Sequence, residues 1–339
     1  MPTKPLPIVA LADLENGQEC DLFALLSAKE ELKTRDGKPY FRVTFRDARR
    51  ELSFPIWNDA PWSDDCRRHW VAGVFYKLRA VYRETTYGPQ LEIRKIRETT
   101  EADAADGFDP AAFRPHSRFD PTAMFDELCG LVRERIVDAP LRALTLGLLE
   151  SHRSELLTLP AATKNHHSFS GGFLEHVLSV VRTAVFLSDK YADYYTELKP
   201  PLDKDLVVAG AVLHDIGKLR ELRWQPEGPA YTAEGSLIGH ILQGRDMVRE
   251  AAAAPGDDVG PLEAEKLLRL EHLIVAHQRL PEWGSPKPPM TPEALLVHYA
   301  DDLDAKYHML VAAIMDDKTP GPVTSKKNVL MQQFYRGGP

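Results

Sequence analysis

The sequence predicts two domains, a small β-barrel in front and an all-helical bundle behind it. Three patterns lead to that division. Over residues 8–100, apolar and polar residues alternate in short runs broken by turn residues, the two-residue period of half-buried strands. From residue 121 onward, apolar residues recur at three- and four-residue spacing, the period of helices. Between them lies a stretch of acidic, small and proline residues, the composition of a linker. With 339 residues, 43% hydrophobic and 27% charged, the chain has ordinary globular proportions and enough length for two cores. The expected boundaries are 1–98 for the barrel, 99–120 for the linker, 121–318 for the bundle and 319–339 for an irregular tail.

The barrel strands follow in order. Phe41, Val43 and Phe45 fall on one face of a strand, and Tyr40, Arg42, Thr44 and Arg46 on the other. An Asp36-Gly37 turn joins that strand to an earlier one at 20–31. A third strand is expected at 51–56, and a hairpin from strands at 74–84 and 90–96. Five short strands in roughly 90 residues fit a small barrel of the OB-fold type. Such barrels hold single-stranded nucleic acid by stacking bases on aromatic side chains and neutralising phosphates with basic ones. Tyr40, Arg42, Arg46, Trp57, Lys77 and Arg79, with Tyr82, are the candidates for that surface.

The helical part opens after Asp120-Pro121, with Met124, Phe125, Leu128, Leu131, Val132 and Ile136 on one face. A second helix is expected from 140 to about 157, and helices with short loops follow, apart from Gly284-Ser285-Pro286-Lys287-Pro288-Pro289. The wholly apolar run at 206–213 leads into His214-Asp215-Ile216-Gly217-Lys218. An imidazole beside a carboxylate suits a divalent cation, and Asp can bridge two ions. His176, His240, His277 and Asp301 each interrupt a further core-like helix. Burying such groups is costly unless they are paired or bound to metal, so their recurrence on separate helices points to a shared cation site.

Composition narrows the classes. Net charge is −8, which argues against indiscriminate attraction to nucleic acid, but residues 1–100 hold 17 Lys and Arg against 15 Asp and Glu. The remainder holds 25 against 35. A slightly basic front and an acidic rear suit a nucleic-acid-gripping module followed by a cation-binding one. Cys20, Cys66 and Cys129 are too few and too scattered for a disulfide framework or zinc knuckle. No apolar run reaches the roughly 18 residues of a membrane span and no signal-peptide core opens the chain, so a cytoplasmic protein without membrane partners is expected.

The order His176, His214-Asp215, Asp301 resembles the HD superfamily of metal-dependent phosphohydrolases. The resemblance is closest to the YhaM family of 3′→5′ exoribonucleases, in which an OB domain precedes the HD domain. The stretch from His166 to His176, the His214–Lys218 block, the run from Tyr231 to His240, Glu282-Trp283-Gly284-Ser285-Pro286-Lys287-Pro288-Pro289 and Leu303-Asp304-Ala305-Lys306 carry it. It implies His176, His214, Asp215 and Asp301 as ligands of a first ion, with Asp301 preferred over Asp302 and Asp304. His240 and His277 would serve a second ion bridged by Asp215. Gln278 departs from the His-His pair usual in the family. Lys218 would contact a phosphate oxygen, and His166, His167 and Lys287 would contact the substrate. One or two divalent ions are implied, Mn²⁺ favoured over Mg²⁺, Co²⁺ or Fe. The partner implied is single-stranded RNA, with single-stranded DNA as the alternative, and a homo-oligomer is compatible. Two other readings compete: a nucleotide or cyclic-nucleotide phosphohydrolase with a regulatory barrel, and a nonenzymatic nucleic-acid-binding protein.

Overall fold

A computed structural model describes residues 6–34, 36–86, 88–164, 167–225, 228–254 and 260–337. The chain divides into two compact units, Met1–Pro115 with Trp224–Gly228, and His116–Arg223 with Pro229–Pro339.

The first unit is an OB-type barrel. Strands β1 (Glu19–Lys33), β2 (Pro39–Arg46) and β3 (Glu51–Trp57) form an antiparallel meander, and β4 (Phe75–Thr85) and β5 (Gly88–Glu98) a hairpin. Strand β1 pairs with both β2 and β4, giving the order β3-β2-β1-β4-β5, and β3 lies against β5 to close the sheet on itself. The long β1 serves both halves because its register shifts between Leu26 and Ala28, a bulge that bends the strand. Helix α1 (Ser63–His69) sits between β3 and β4 and was not legible as a separate element. Phe41, Val43, Phe45, Leu52, Phe54, Leu78 and Tyr82 fill the interior, as the alternation requires.

The expected linker is in large part folded. Short 3-10 turns cover Glu101–Asp106 and Pro110–Phe113. Phe108 and Phe113 pack on Phe75, with ring centres 5.4 and 5.2 Å away. Asp103, 2% exposed, accepts from Arg97 at 2.7 and 2.6 Å, from the Thr100 amide at 2.8 Å and from Lys77 at 3.3 Å. Alanine and acid content read as a linker because the pairing of one carboxylate with two distant strand residues has no local signature.

The second unit is a helical bundle. It contains α2 (Pro121–Arg135), α3 (Ala139–Ser151), α4 (Arg153–Leu156), α5 (Gly172–Tyr194), α6 (Lys204–Leu213), α7 (Lys218–Glu221), α8 (Ala233–Leu237), α9 (His240–Ala253), α10 (Ala264–Ala276) and α11 (Pro292–Asp316). Every residue from 206 to 213 is buried, as a helix apolar all round must be. Helix α6 is therefore the central one, in contact with α2, α3, α5, α10 and α11. Between α7 and α8 the chain forms a small hairpin, β6 (Leu222–Gln225) and β7 (Gly228–Tyr231), where only helix was expected, and its Trp224–Gly228 portion groups with the first unit. Pro226, Gly228 and Pro229 in its sequence disfavour helix. Residues 319–337 are irregular, folded back by a bridge between Val323 and Tyr335. All three cysteines are buried and free. Among the described residues, no helix is long and apolar enough to cross a membrane.

Asp103 is held well below the usual carboxylate range, chiefly by its bond to Arg97. Its stabilisation is therefore complete above the unfolded value of about 4 and fades as pH falls toward the depressed native value. Asp103→Ala is expected to cost about 2 kcal/mol at pH 7, with a smaller difference from wild type at pH 3, in urea unfolding of the full chain. An undiminished difference at pH 3 would contradict this account.

Candidate metal centre

Five helices deliver the ligand candidates. Helix α5 carries His176, α6 ends at His214-Asp215, α9 begins with His240, α10 ends at His277 and α11 carries Asp301 and Asp304. Two of these positions follow helix C-termini, where the backbone dipole favours positive charge.

The side chains converge in two groups that share Asp215. In the first, His176 Nε2 lies 3.3 Å from His214 Nε2, 3.2 Å from Asp301 Oδ1 and 3.6 Å from Asp215 Oδ2. His214 Nε2 is 3.4 Å from the same Asp215 oxygen and 3.8 Å from Asp301 Oδ1. In the second, Asp215 Oδ1 lies 3.3 Å from His240 Nε2 and 3.6 Å from His277 Nε2. The Gln278 side-chain amide is 3.3 Å from His240 Nε2. An amide flip exchanges its nitrogen and oxygen, so Gln278 can present an oxygen at that point. The departure from a His-His pair thus replaces one neutral donor with a weaker one in the same place.

Each of the four imidazoles is held by its other nitrogen. His176 Nδ1 meets Asp304 Oδ2 at 2.7 Å, His214 Nδ1 the Ala211 carbonyl at 2.8 Å, His240 Nδ1 Glu221 Oε1 at 3.0 Å and His277 Nδ1 the Ile274 carbonyl at 2.7 Å. Acceptors at every Nδ1 place the proton there and leave Nε2 as a lone pair turned inward, the arrangement that prepares histidine for a metal. Asp215 Oδ1 and His277 Nε2 are buried and make no hydrogen bond among the described residues. Buried polar atoms are seldom left so, and a cation between them satisfies both. The donor set fits one or two divalent ions.

The electrostatics agree. Burial pushes the Asp215 carboxyl up, but the Lys218 and His214 charges outweigh it and hold the group far below the usual range. Burial likewise opposes ionisation of Asp301, and its hydrogen bond to His176 overcomes it. For His176, burial disfavours the imidazolium, yet Asp301 and Asp304 raise its pKa to about 9. His277 moves the other way, lowered by burial. The carboxylates are thus ionised in the fold, and without a metal the positive charge comes from a proton on His176 and from the Lys218 ammonium, 2.5 Å from Asp215 Oδ2.

Packing sets these positions. A Cβ on Gly217 would lie 2.0 Å from the His240 carbonyl oxygen, a contact that no side chain tolerates. Glycine there lets the start of α9 lie directly on the turn after Asp215. A cleft of about 400 Å³ opens over the second group, with Lys218, His240 and Gln278 among its lining.

Residues 173–306 match the HD domain. That match spans His176, His214, Asp215, His240, His277 and Asp301, and the HD domain is that of a metal-dependent hydrolase superfamily. Among solved structures, the chain is similar to the second OB-fold domain of replication protein A from Methanococcus maripaludis. The identity is 13%, covering 28% of this chain and 96% of that one, with a TM-score of 0.21. An OB domain from Methanosarcina mazei is 20% identical over 29% of this chain and 88% of that one, with a TM-score of 0.22.

Other expected residues are placed differently. Asp302 pairs with Lys306 at 2.8 Å and Asp304 meets His176 Nδ1, so within α11 it is Asp301 that stands beside the Nε2 atoms of His176 and His214. Sequence reasoning missed Asp304 and Glu221 as the carboxylates behind His176 and His240. Asp304 lies three residues past Asp301, nearly one helical turn, and that spacing was the available signal. His167, expected to contact the substrate, is 4% exposed, and its ring centre is 4.0 Å from that of His308. His166 lies outside the described residues, and Lys287 is exposed in its loop.

On the barrel, the expected basic surface needs correction. Lys77 is bound by Asp106 at 2.5 Å and Asp103 at 3.3 Å, and Arg79 forms two 2.7 Å bonds to Asp21. Arg46 donates to the Phe113 carbonyl at 3.2 Å, and Tyr82 is buried, 1% exposed. These charges are answered by nearby acceptors, which strand alternation could not reveal. Tyr40, Arg42 and Trp57 stay on the outer face, with Tyr40 and Trp57 facing each other across β2 and β3, ring centres 5.0 Å apart.

Removing a carboxylate behind a ligating histidine weakens metal binding about 10–100-fold. Calorimetric titration with Mn²⁺ should show Glu221→Ala weakening one binding step and Asp304→Ala the other. Wild-type titrations from both variants would contradict the two-group geometry.

Proposed function

We propose that the HD domain hydrolyses the phosphodiester at the 3′ end of single-stranded nucleic acid, RNA by preference, and releases nucleoside 5′-monophosphates. The observation that carries the hydrolytic part is Asp215, whose two oxygens face two separate sets of imidazole nitrogens. The likeness to YhaM exoribonucleases supports the direction and the substrate.

His176, His214, Asp301 and Asp215 Oδ2 would hold one divalent ion, and Asp215 Oδ1, His240, His277 and the Gln278 amide a second. Nitrogen and oxygen donors without thiolate suit Mn²⁺, Mg²⁺, Co²⁺ or Fe, with Mn²⁺ favoured. Such ions activate water for attack on phosphorus and offset charge on the leaving oxygen.

The chain's own residues do the rest. Asp304 and Glu221 fix the imidazoles, so no reorganisation is required when substrate arrives. Lys218, 7% exposed in the cleft lining, supplies a point charge that can pass from Asp215 to a phosphate oxygen. With cations bound, Asp215 would keep its charge compensated without that ammonium. On the barrel, Tyr40, Trp57 and Arg42 offer a stacking pair and a guanidinium for the strand upstream of the cut.

Asp215→Ala should lower hydrolysis of 3′-overhanging RNA in Mn²⁺ about a thousandfold or more, because both groups lose their common ligand. Binding of the same RNA should fall by less than about tenfold, because the barrel is untouched. The assay follows 5′-labelled RNA, which shortens in single-nucleotide steps with wild type. Turnover confined to mononucleotides or cyclic dinucleotides would replace this reading with that of a nucleotide phosphohydrolase. Retained hydrolysis by the variant would remove Asp215 from the chemistry.

A further inference from the structure

The cleft over the second group pairs a charged floor with aromatic walls. Lys218, His240 and Gln278 line its inner part, and Tyr231, Trp283 and Lys164 line it as well. Tyr231 is 52% and Trp283 48% exposed, large apolar rings left in water beside a cation-binding floor. Both are anchored to the metal group. Thr232, next to Tyr231, donates its amide to the Glu221 carbonyl at 2.9 Å and its hydroxyl to the Arg220 carbonyl at 2.8 Å. Glu221 is the residue that holds His240. Trp283 ends a 3-10 turn, Pro281–Trp283, closed by Gly284 at φ +103. The buried Ser285 hydroxyl then accepts from the Gln278 backbone N–H at 3.1 Å. Lys306 places its ammonium 5.6 Å from the indole centre. The two rings therefore line the same cleft, each on a segment tied by hydrogen bonds to a residue beside the second group.

We infer that this cleft seats one unpaired nucleotide, its base on Tyr231 and Trp283 and its phosphate toward Lys218 and Lys164. The inference deepens the hydrolase reading and rests on it for the position of the phosphate. About 400 Å³ lies at the lower end of the range for small-ligand pockets, suited to one nucleotide. A base seated on these rings offers them its face, which a base inside a duplex stack does not expose. Every base has a π face, so stacking secures the terminal residue with little regard to its identity. Tyr231 and Trp283 are accordingly specificity residues for single-strandedness rather than for sequence.

The test compares 5′-AMP with ribose 5-phosphate, which carries the phosphate without the base, by calorimetry on the full chain with Mn²⁺. Wild type should bind AMP about 10–100-fold more tightly, the worth of one or two base stacks. In the Tyr231→Ala/Trp283→Ala variant that preference should fall to about twofold or less, with Mn²⁺ affinity unchanged. Trp283→Phe, which keeps a ring, should retain most of it. Equal affinities in wild type, or a preference that survives in the double variant, would overturn the assignment. RNA turnover is read separately. If it is absent while the AMP preference behaves as expected, the hydrolase reading fails and the nucleotide seat stands.

Discussion

One carboxylate joins the two groups of ligand candidates in the helical unit. Asp215 follows the most buried helix of the bundle and turns one oxygen to His176 and His214 and the other to His240 and His277. A buried anion is costly unless positive charge compensates it. The surrounding elements all serve that requirement. Helix α6 is apolar on every side so that its end lies at the centre. Gly217 lets α9 approach the turn, and Lys218 stands over one oxygen.

The second constraint is orientation. An imidazole offers either nitrogen, and only an acceptor at Nδ1 fixes which one faces the ion. Two of the four acceptors are backbone carbonyls three residues earlier in the same helix, for His214 and His277. These cost no extra side chain, and they work because the histidines sit at helix ends, where carbonyls lack helical partners. His176 lies inside α5 and His240 at the start of α9, away from the free carbonyls of a helix C-terminus, and they use carboxylates from other segments, Asp304 and Glu221.

Much of this was legible in the sequence, for a specific reason. The alternation at 41–46 and the apolar run at 206–213 are local signals, and β2 and α6 lie where they placed them. The positions of His176, His214, Asp215, His240, His277 and Asp301 could be singled out because each breaks a core-like helix. Partnerships between distant residues were not legible. Lys77 and Arg79 look like open cations on an alternating strand, and only the fold brings Asp103, Asp106 and Asp21 to them. The burial of His167 was not legible either, because nothing local records that α11 brings His308 against it. The supporting carboxylates Asp304 and Glu221 were hidden among fifty acidic residues until distance singled them out.

The most direct measurement is anomalous diffraction from crystals of the full chain grown with Mn²⁺. A carboxylate shared between two histidine groups predicts two peaks roughly 3.5–4 Å apart, one on each side of Asp215. The first should touch His176, His214 and Asp301, and the second His240, His277 and Gln278. A peak away from Asp215, or no peak with the imidazoles in place, would contradict the claim that this residue organises a cation site.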